Sequence, residues 1–389
     1  MFKLIAKTYA GFEEIVAEEL IALGATDVVQ GFRAVTFTGD LALIYRANLH
    51  SRYSLRILKE LATFPAANEQ QLYDGIAAID WSVYMTPDDT LAVDAALTKS
   101  NLNHSQYAAL KTKDAIVDQF RAATGNRPSV DLERPTLRIH VYIHENQAAV
   151  SLDTSGSSLH KRGYRVHQGG APLSEVLAAG MLKIAGWDKK TPLLDPFCGS
   201  GTLLLEAALM AGNYAPGIFR DYFGFKRWKD FDNKLWSELT AEARQQERPN
   251  DIPELVGLDI VYRQVTFAKE NVVEAGLSGK INIHCTSFMD FKPTTEHPWF
   301  IISNPPYGER IVPEDLNALY KDIGNTFKRS YPGCTAWILC GSRDAEKSVG
   351  LKPSKRIPLW NGPIECRFLK FDLYSGSKRG TATRTSEEQ

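Results

Sequence analysis

The chain has few of the features that mark a secreted, membrane-bound or metal-stapled protein. Its 389 residues include five cysteines, at Cys198, Cys285, Cys334, Cys340 and Cys366, and no two of them form a CxxC pair. Such scatter excludes a disulfide framework and a cysteine-based zinc site, and it fits a reducing compartment. No apolar run is long enough to span a bilayer. The N-terminus, Met1 to Lys7, has no secretory apolar core, and acidic Glu13 and Glu14 soon follow. A cytoplasmic protein without a membrane partner or a bound metal is expected. Charge of one sign is missing too: 45 Lys and Arg stand against 46 Asp and Glu, a formal net charge of -1. No global field draws nucleic acid to such a chain, so any contact with it must come from local basic patches. Internal repeats are absent, and nothing in the composition fixes the oligomeric state.

The length leaves room for two or three domains, and the chain order suggests where they lie. Residues 1–60 read strand, helix, strand, strand, helix, strand, with Phe12, Ile15, Val16, Leu20 and Leu23 at helical spacing and Asp40 placed to cap the second helix. That order predicts a small α+β, ferredoxin-like unit. Residues 61–155 form a second unit: a helix from Glu69, a strand over 90–98, a long helix over 104–124 and a hairpin turning at Glu145-Asn146. Lys99, Lys111, Lys113, Arg127, Arg134 and Arg138 make it locally basic, a pattern that a merely solvated face also produces. Thr154 to Ser158, all small residues, predicts a hinge, and the basic stretch containing Lys161, Arg162 and Arg165 follows it. From 156 to 375 strands and helices alternate, which predicts a parallel, doubly wound sheet. Residues 376–389 are polar and predict a frayed tail.

Leu193-Leu194-Asp195-Pro196-Phe197-Cys198-Gly199-Ser200-Gly201-Thr202 reads as a strand, a glycine-containing loop and a helix N-terminus. Gly199 and Gly201 let a ligand approach the backbone. The dinucleotide fingerprint is excluded, because Leu204 stands where the third glycine is needed, and no Lys-Ser/Thr follows to make a P-loop. A cofactor with a nucleoside and an amino acid but no phosphate fits better, namely S-adenosylmethionine (SAM). Asp259, ending the next strand, is placed to hold its ribose hydroxyls. The gap before that strand holds an insertion, 211–253. After the third strand, Ser287 and Phe288 could flank the adenine, although Phe288 fits the core equally well. Cys198, with no adjacent base, reads as a small buried filler.

The stretch Phe300-Ile301-Ile302-Ser303-Asn304-Pro305-Pro306-Tyr307 is a short apolar strand stopped by two prolines. Besides being a Pro-rich turn, it suits a flat base with an exocyclic amine. Asn304 Oδ1 and the Pro305 carbonyl can each accept one amine hydrogen, and Tyr307 offers a face for stacking.

With Asp195-Pro-Phe-Cys-Gly-Ser-Gly-Thr, Asp259 and Asn304-Pro-Pro-Tyr in this order, the C-terminal part resembles class I SAM-dependent amino-methyltransferases. Leu159-His-Lys-Arg-Gly-Tyr-Arg, Ala171-Pro-Leu and Ser303-Asn-Pro-Pro-Tyr-Gly-Glu-Arg look more closely like the bacterial THUMP-containing RNA guanine-N2 methyltransferases. Among these the large-subunit ribosomal RNA enzymes are most similar. The resemblance runs from the first strand to Tyr374. It implies a Rossmann-like α/β methyltransferase domain behind ferredoxin-like and THUMP units. It also implies that the glycine loop lies against the methionine part of SAM and that Ala171, Pro172 and Leu173 close over the cofactor. Asp259 would take the ribose and residues 304–307 the target amine. One departure is that relatives often carry Asp where Ser287 aligns. The implied partner is RNA, 23S ribosomal RNA or a ribosome-assembly intermediate, gripped by residues 60–155 and by Lys161, Arg162 and Arg165. Rival expectations are a transfer-RNA guanine-N2 enzyme, a DNA adenine-N6 methyltransferase and a non-catalytic RNA-binding assembly protein.

Overall fold

A computed structural model describes residues 1–167, 173–293, 298–307 and 315–374. The expected tail, 376–389, lies outside them. The first half runs β1 (Phe2–Lys7), α1 (Glu13–Ala22), β2 (Thr26–Gly31), β3 (Ala34–Gly39), α2 (Leu41–His50), β4 (Arg56–Pro65), α3 (Glu69–Ala77), β5 (Thr90–Thr98), α4 (Ser105–Thr124), β6 (Ser129–Val130), β7 (Leu137–His144) and β8 (Gln147–Asp153). It continues with α5 (Glu175–Ala185), β9 (Leu193–Asp195), α6 (Thr202–Ala211), α7 (Asn233–Gln245), β10 (Leu255–Asp259), α8 (Tyr262–Glu274), β11 (Asn282–Cys285) and β12 (Phe300–Ser303). The last elements are α9 (Leu316–Ser330), β13 (Thr335–Cys340), α10 (Arg343–Ser348), β14 (Lys355–Asn361) and β15 (Ile364–Asp372). Two compact units result, one of residues 1–165, 174–180 and 212–249, the other of 166–173, 181–211 and 250–389. Among the described residues no helix is long and apolar enough to cross a membrane.

In the first unit the strand, helix, strand, strand, helix, strand order is present. Asp40 caps α2 by accepting from the Leu43 N–H at 2.8 Å. Val16 and Leu20 of α1, Phe12 at its N-cap, Leu4 of β1 and Phe37 of β3 are all buried, and burial of its apolar face is what stabilises so short a helix. The two N-terminal ranges do not form separate sheets. β4 pairs with β8, so one eight-stranded sheet runs β2-β3-β1-β4-β8-β7-β5-β6. Glu145 and Asn146 both take positive φ, the backbone that a two-residue hairpin between twisted strands requires.

The predicted hinge is not one. Thr154 and Ser155 are fully buried, and each side chain is hydrogen-bonded to Asn48 of α2, at 2.7 Å. Arg220, from the insertion, donates to the carbonyls of Ser155, Ser157, Ser158 and Lys161. Small residues here serve close approach, not freedom: a Cβ on Gly156 would stand 2.8 Å from the Gly224 nitrogen. The insertion itself packs as core. Phe225 stacks on Tyr45 of α2 with centroids 4.5 Å apart, and Trp236 meets the same ring edge-on at 5.9 Å.

The second unit is the expected α/β fold. Its seven strands run β11-β10-β9-β12-β13-β15-β14. The first five are parallel, while β15 runs antiparallel to β13 and to β14. Leu194, Val256, Ile301, Ala336 and Ile338 bury one face against α9, where Ile323 and Phe327 are fully enclosed. Near-continuous apolar runs of this kind are what a sheet covered on both faces needs. β14 has no counterpart in the sequence reading. Pro358 interrupts its pattern, and the strand lies at the sheet edge, where a missing donor costs nothing.

Candidate active site

Three strand ends in the second unit define a crevice. From β9 the chain moves outward through β10 to β11, then returns to β12 on the other side of β9. A reversal of this kind opens a ligand site at the carboxyl ends of the strands. Asp195 ends β9, Asp259 ends β10 and Ser303 ends β12.

Asp195 is 2% exposed. Its Oδ1 accepts from Ser303 Oγ and from the Phe197 N–H, the latter at 3.2 Å. Burial pushes its carboxyl up to about 7, the Asp259 charge adds to the rise, and the two hydrogen bonds oppose it. Asp259 is pushed up as well, again chiefly by burial. It accepts from the Gly199 N–H at 3.0 Å and the Val261 N–H at 2.8 Å, so it braces the glycine loop from the neighbouring strand. Gly199 and Gly201 have φ of +53° and +85°. A Cβ on Gly201 would press Ala268 of α8 at 3.3 Å, whereas one on Gly199 would meet nothing within 4 Å. Gly201 therefore serves helix packing, and Gly199 borders space a ligand can enter. Pro196 is buried and Phe197 half-buried.

The Asp195 carboxyl has a consequence for stability. An unfolded aspartate titrates near pH ~4, so between about pH 4 and 7 the fold binds a proton that the unfolded chain has released. Stability should fall as pH rises through that window. In Asp195→Asn the amide oxygen retains both hydrogen bonds, and urea midpoints at pH 5 and pH 8 should differ less than in the wild type. An equally steep decline in the variant would assign the pH dependence to another group.

Asn304 follows the end of β12. Its Oδ1 is buried and has no hydrogen-bond partner among the described residues. An acceptor left in that state typically costs about 1–3 kcal/mol, and a donor brought to it would remove that cost. Pro305 is buried, and Pro306 and Tyr307 are half-buried. The Tyr307 ring lies over Gly341, where a Cβ would be 2.4 Å from it. Its hydroxyl accepts from Asn361 Nδ2 at 2.9 Å.

The other expected site residues divide. Leu173 is buried, while Ala171 and Pro172 lie outside the described residues. The Ser287 hydroxyl accepts from the Met289 N–H at 3.2 Å and so shapes its own turn. Phe288 belongs to the core: it is 2% exposed and stacks on Tyr331 with centroids 5.3 Å apart. It keeps no face for an adenine. In the first unit Arg162 is buried and donates to the carbonyls of Ser51, Leu159 and Arg52. Arg165 pairs with buried Glu175 at 2.8 Å. Both were expected to meet RNA, and both instead bind groups of their own chain, because a buried guanidinium must satisfy its donors internally. Lys161 is exposed. Lys111 sits over the Tyr73 ring at 5.3 Å, and Lys113 pairs with Asp114 at 2.6 Å.

Some residues at the crevice escaped the sequence reading. Asn271 is 1% exposed. Its Oδ1 accepts from the Val166 and His167 N–H groups at 2.9 and 3.3 Å, and its Nδ2 donates to the Ser200 carbonyl at 3.1 Å. It ties Val166 and His167 to the glycine loop. The available signal was a polar residue on the helix face that also carries Val265, Ala268 and Val272. Gly257 is another: a Cβ there would come within 2.4 Å of Leu204, so α6 can lie close to β10.

Comparison with known proteins identifies the family. Residues 162–370 match the RMKL-like methyltransferase domain, 66–153 the THUMP domain and 3–58 the RlmL ferredoxin-like domain. A Synechocystis sp. protein named "Putative RNA methyltransferase" is 44% identical over 365 residues, covering 94% of this chain and 95% of that protein. The ribosomal RNA large subunit methyltransferase K/L of Methylococcus capsulatus is 42% identical over 370 residues, 93% of this chain. The chain spans about half the length of such K/L relatives, 50% in that case. A crystal structure of "a putative methyltransferase complexed with SAH" superposes with a TM-score of 0.86 at 32% identity, covering 97% of this chain and 98% of that one.

Proposed function

The chain belongs to the RMKL-like methyltransferases, and we propose that it moves a methyl group from SAM to the exocyclic N2 of a guanine in 23S ribosomal RNA, in the cytoplasm. The observation that carries the proposal is the buried Asn304 Oδ1, which has no partner among the described residues. An exocyclic amine is a donor of the kind this acceptor lacks. Held there, the amine would have one hydrogen engaged and its lone pair turned out of conjugation with the ring.

The crevice fits SAM on its own chemistry. Gly199 leaves open space beside the loop, and the acids that end β9 and β10, Asp195 and Asp259, would suit a cofactor that carries an ammonium and a sulfonium. Pro196, Phe197 and Gly199 would lie along its methionine part, and Asp259 would accept from its ribose. When bound, SAM supplies an electrophilic methyl. The chain's part is to position: alignment of two reacting groups is worth on the order of 7–11 kcal/mol. Tyr307 would hold the base by stacking, at about 1–3 kcal/mol, against the cost of extruding it. RNA would be gripped by the first unit through shape and phosphates, with Lys111, Lys113 and Lys161 as its surface cations.

Ribosomal RNA from cells lacking the protein should lack one N2-methylguanine, and the purified enzyme with SAM should restore it, as read by nucleoside mass spectrometry. Loss of the mark from transfer RNA only, or appearance of N6-methyladenine in place of N2-methylguanine, would overturn the assignment of RNA or of base.

A further inference from the structure

Tyr307 is held by residues far along the chain. Asn361, at the end of β14, lies 54 positions away and donates through Nδ2 to the Tyr307 hydroxyl at 2.9 Å. Gly341, just past β13, leaves the room in which the ring sits, since a Cβ there would stand 2.4 Å from the ring edge. Cys366, on β15, lies beside the same hydroxyl, and burial pushes the phenol well above its ordinary range. The hydroxyl therefore stays protonated. It accepts from Asn361 and keeps its own proton for a neighbour. The three supports come from the chain just past β13 and from β14 and β15, not from the loop that carries Tyr307.

A loop containing two prolines has few ways to move, but a ring at its end can still rotate about χ1 and χ2. A hydrogen bond at the para position stops the swing about χ1 most effectively, because the hydroxyl is the atom farthest from the backbone. Packing on Gly341 limits the tilt. Together they fix the plane of the ring relative to Asn304. That plane decides whether a flat base can stack while its amine reaches Asn304 Oδ1.

We infer that Asn361 is a positioning residue for methyl transfer: by binding the Tyr307 hydroxyl it orients the ring against which the target base stacks. This rests on the reading that residues 304–307 hold the target base. Asn361→Ala should lower kcat/KM for ribosomal RNA by about three- to tenfold, the range of one neutral hydrogen bond. SAM affinity should stay at the wild-type value, because among the described residues no hydrogen bond or ring contact joins Asn361 or Tyr307 to the glycine loop.

The decisive experiment is a double-mutant cycle measured on large-subunit ribosomal RNA from cells lacking the protein. Tyr307→Phe keeps the ring and removes the hydroxyl, so it should reproduce the Asn361→Ala effect. In the double variant the two losses should not multiply. Asn361→Asp can accept from the phenol O–H in place of donating to it, and should recover most of the lost rate. Multiplying losses, wild-type turnover in Asn361→Ala, or a fall in its SAM affinity would each overturn the inference, the last by showing a general structural defect. Tyr307→Ala separates the inference from its premise. If removing the ring leaves methyl transfer unchanged, the target-base reading fails and the inference fails with it. If Tyr307→Ala is slow and Asn361→Ala is not, only the inference fails.

Discussion

Asn304→Ala should slow methyl transfer by about a hundred- to a thousandfold, the loss seen when one preorganised hydrogen-bonding group is taken from a reacting centre. SAM affinity should be nearly unchanged. The asymmetry follows from position. Asn304 follows β12, and its Oδ1 has no partner among the described residues; the contacts around the glycine loop run through Asp195, Asp259, Ser200 and Asn271 instead. Removing the carboxamide relieves a buried, unsatisfied acceptor, so the variant should be at least as resistant to urea as the wild type. A loss of rate without a loss of stability separates a catalytic group from a structural one. Single-turnover rates at saturating SAM, with calorimetric binding of SAM to the same preparation, measure both. A rate within threefold or so of wild type would remove Asn304 from the reaction, since even one ordinary hydrogen bond is worth about that much.

What could be read from the sequence, and what could not, divides along physical lines. Local rules worked where local forces decide. Asp40 precedes an apolar-periodic run and caps α2. Pro305 and Pro306 end β12, because neither can donate to a ladder. Asp259 was located although a long insertion separates β9 from β10, since an acid closing an apolar strand is a local pattern. Burial of polar residues was not legible. Arg162 and Arg165 look like any basic patch in one dimension, and only the fold brings the Ser51 and Arg52 carbonyls to the first and Glu175 to the second. Thr154 to Ser158 has the composition of a flexible linker and also that of a tightly packed crossing; Asn48 and Arg220 decide for the latter. Phe288 fits both meanings in one dimension, and the stacked Tyr331 ring decides for the core. Asn361 had no signal at all, because its strand is an irregular edge and its partner is Tyr307, 54 residues earlier.

Asp259→Ala should have the largest effect on the cofactor. In the structure its carboxylate accepts from the Gly199 and Val261 N–H groups. It therefore acts twice: it fixes the loop that borders the open space at Gly199, and it would accept from the ribose. Charge-assisted hydrogen bonds are worth about 1.5–3 kcal/mol each, so the loss of two should weaken SAM binding by at least a hundredfold. Asp259→Asn divides these roles. The amide oxygen can still accept from one backbone N–H, while the negative charge is gone, so its affinity should fall between wild type and alanine. The effect should also depend on pH in a defined sense. Burial raises the carboxyls of Asp195 and Asp259 above the ordinary range, to about 7 for Asp195. A cationic cofactor favours their ionised forms, so binding should release protons, and wild-type affinity should rise from pH 6 to pH 8. Calorimetry in two buffers of different ionisation enthalpy reads that release directly. In Asp259→Ala the release should be smaller, because one acid is missing and Asp195 no longer feels its charge. A wild-type dissociation constant in Asp259→Ala would mean that the ribose is held elsewhere and that the Asp259 bond to Gly199 serves the loop alone.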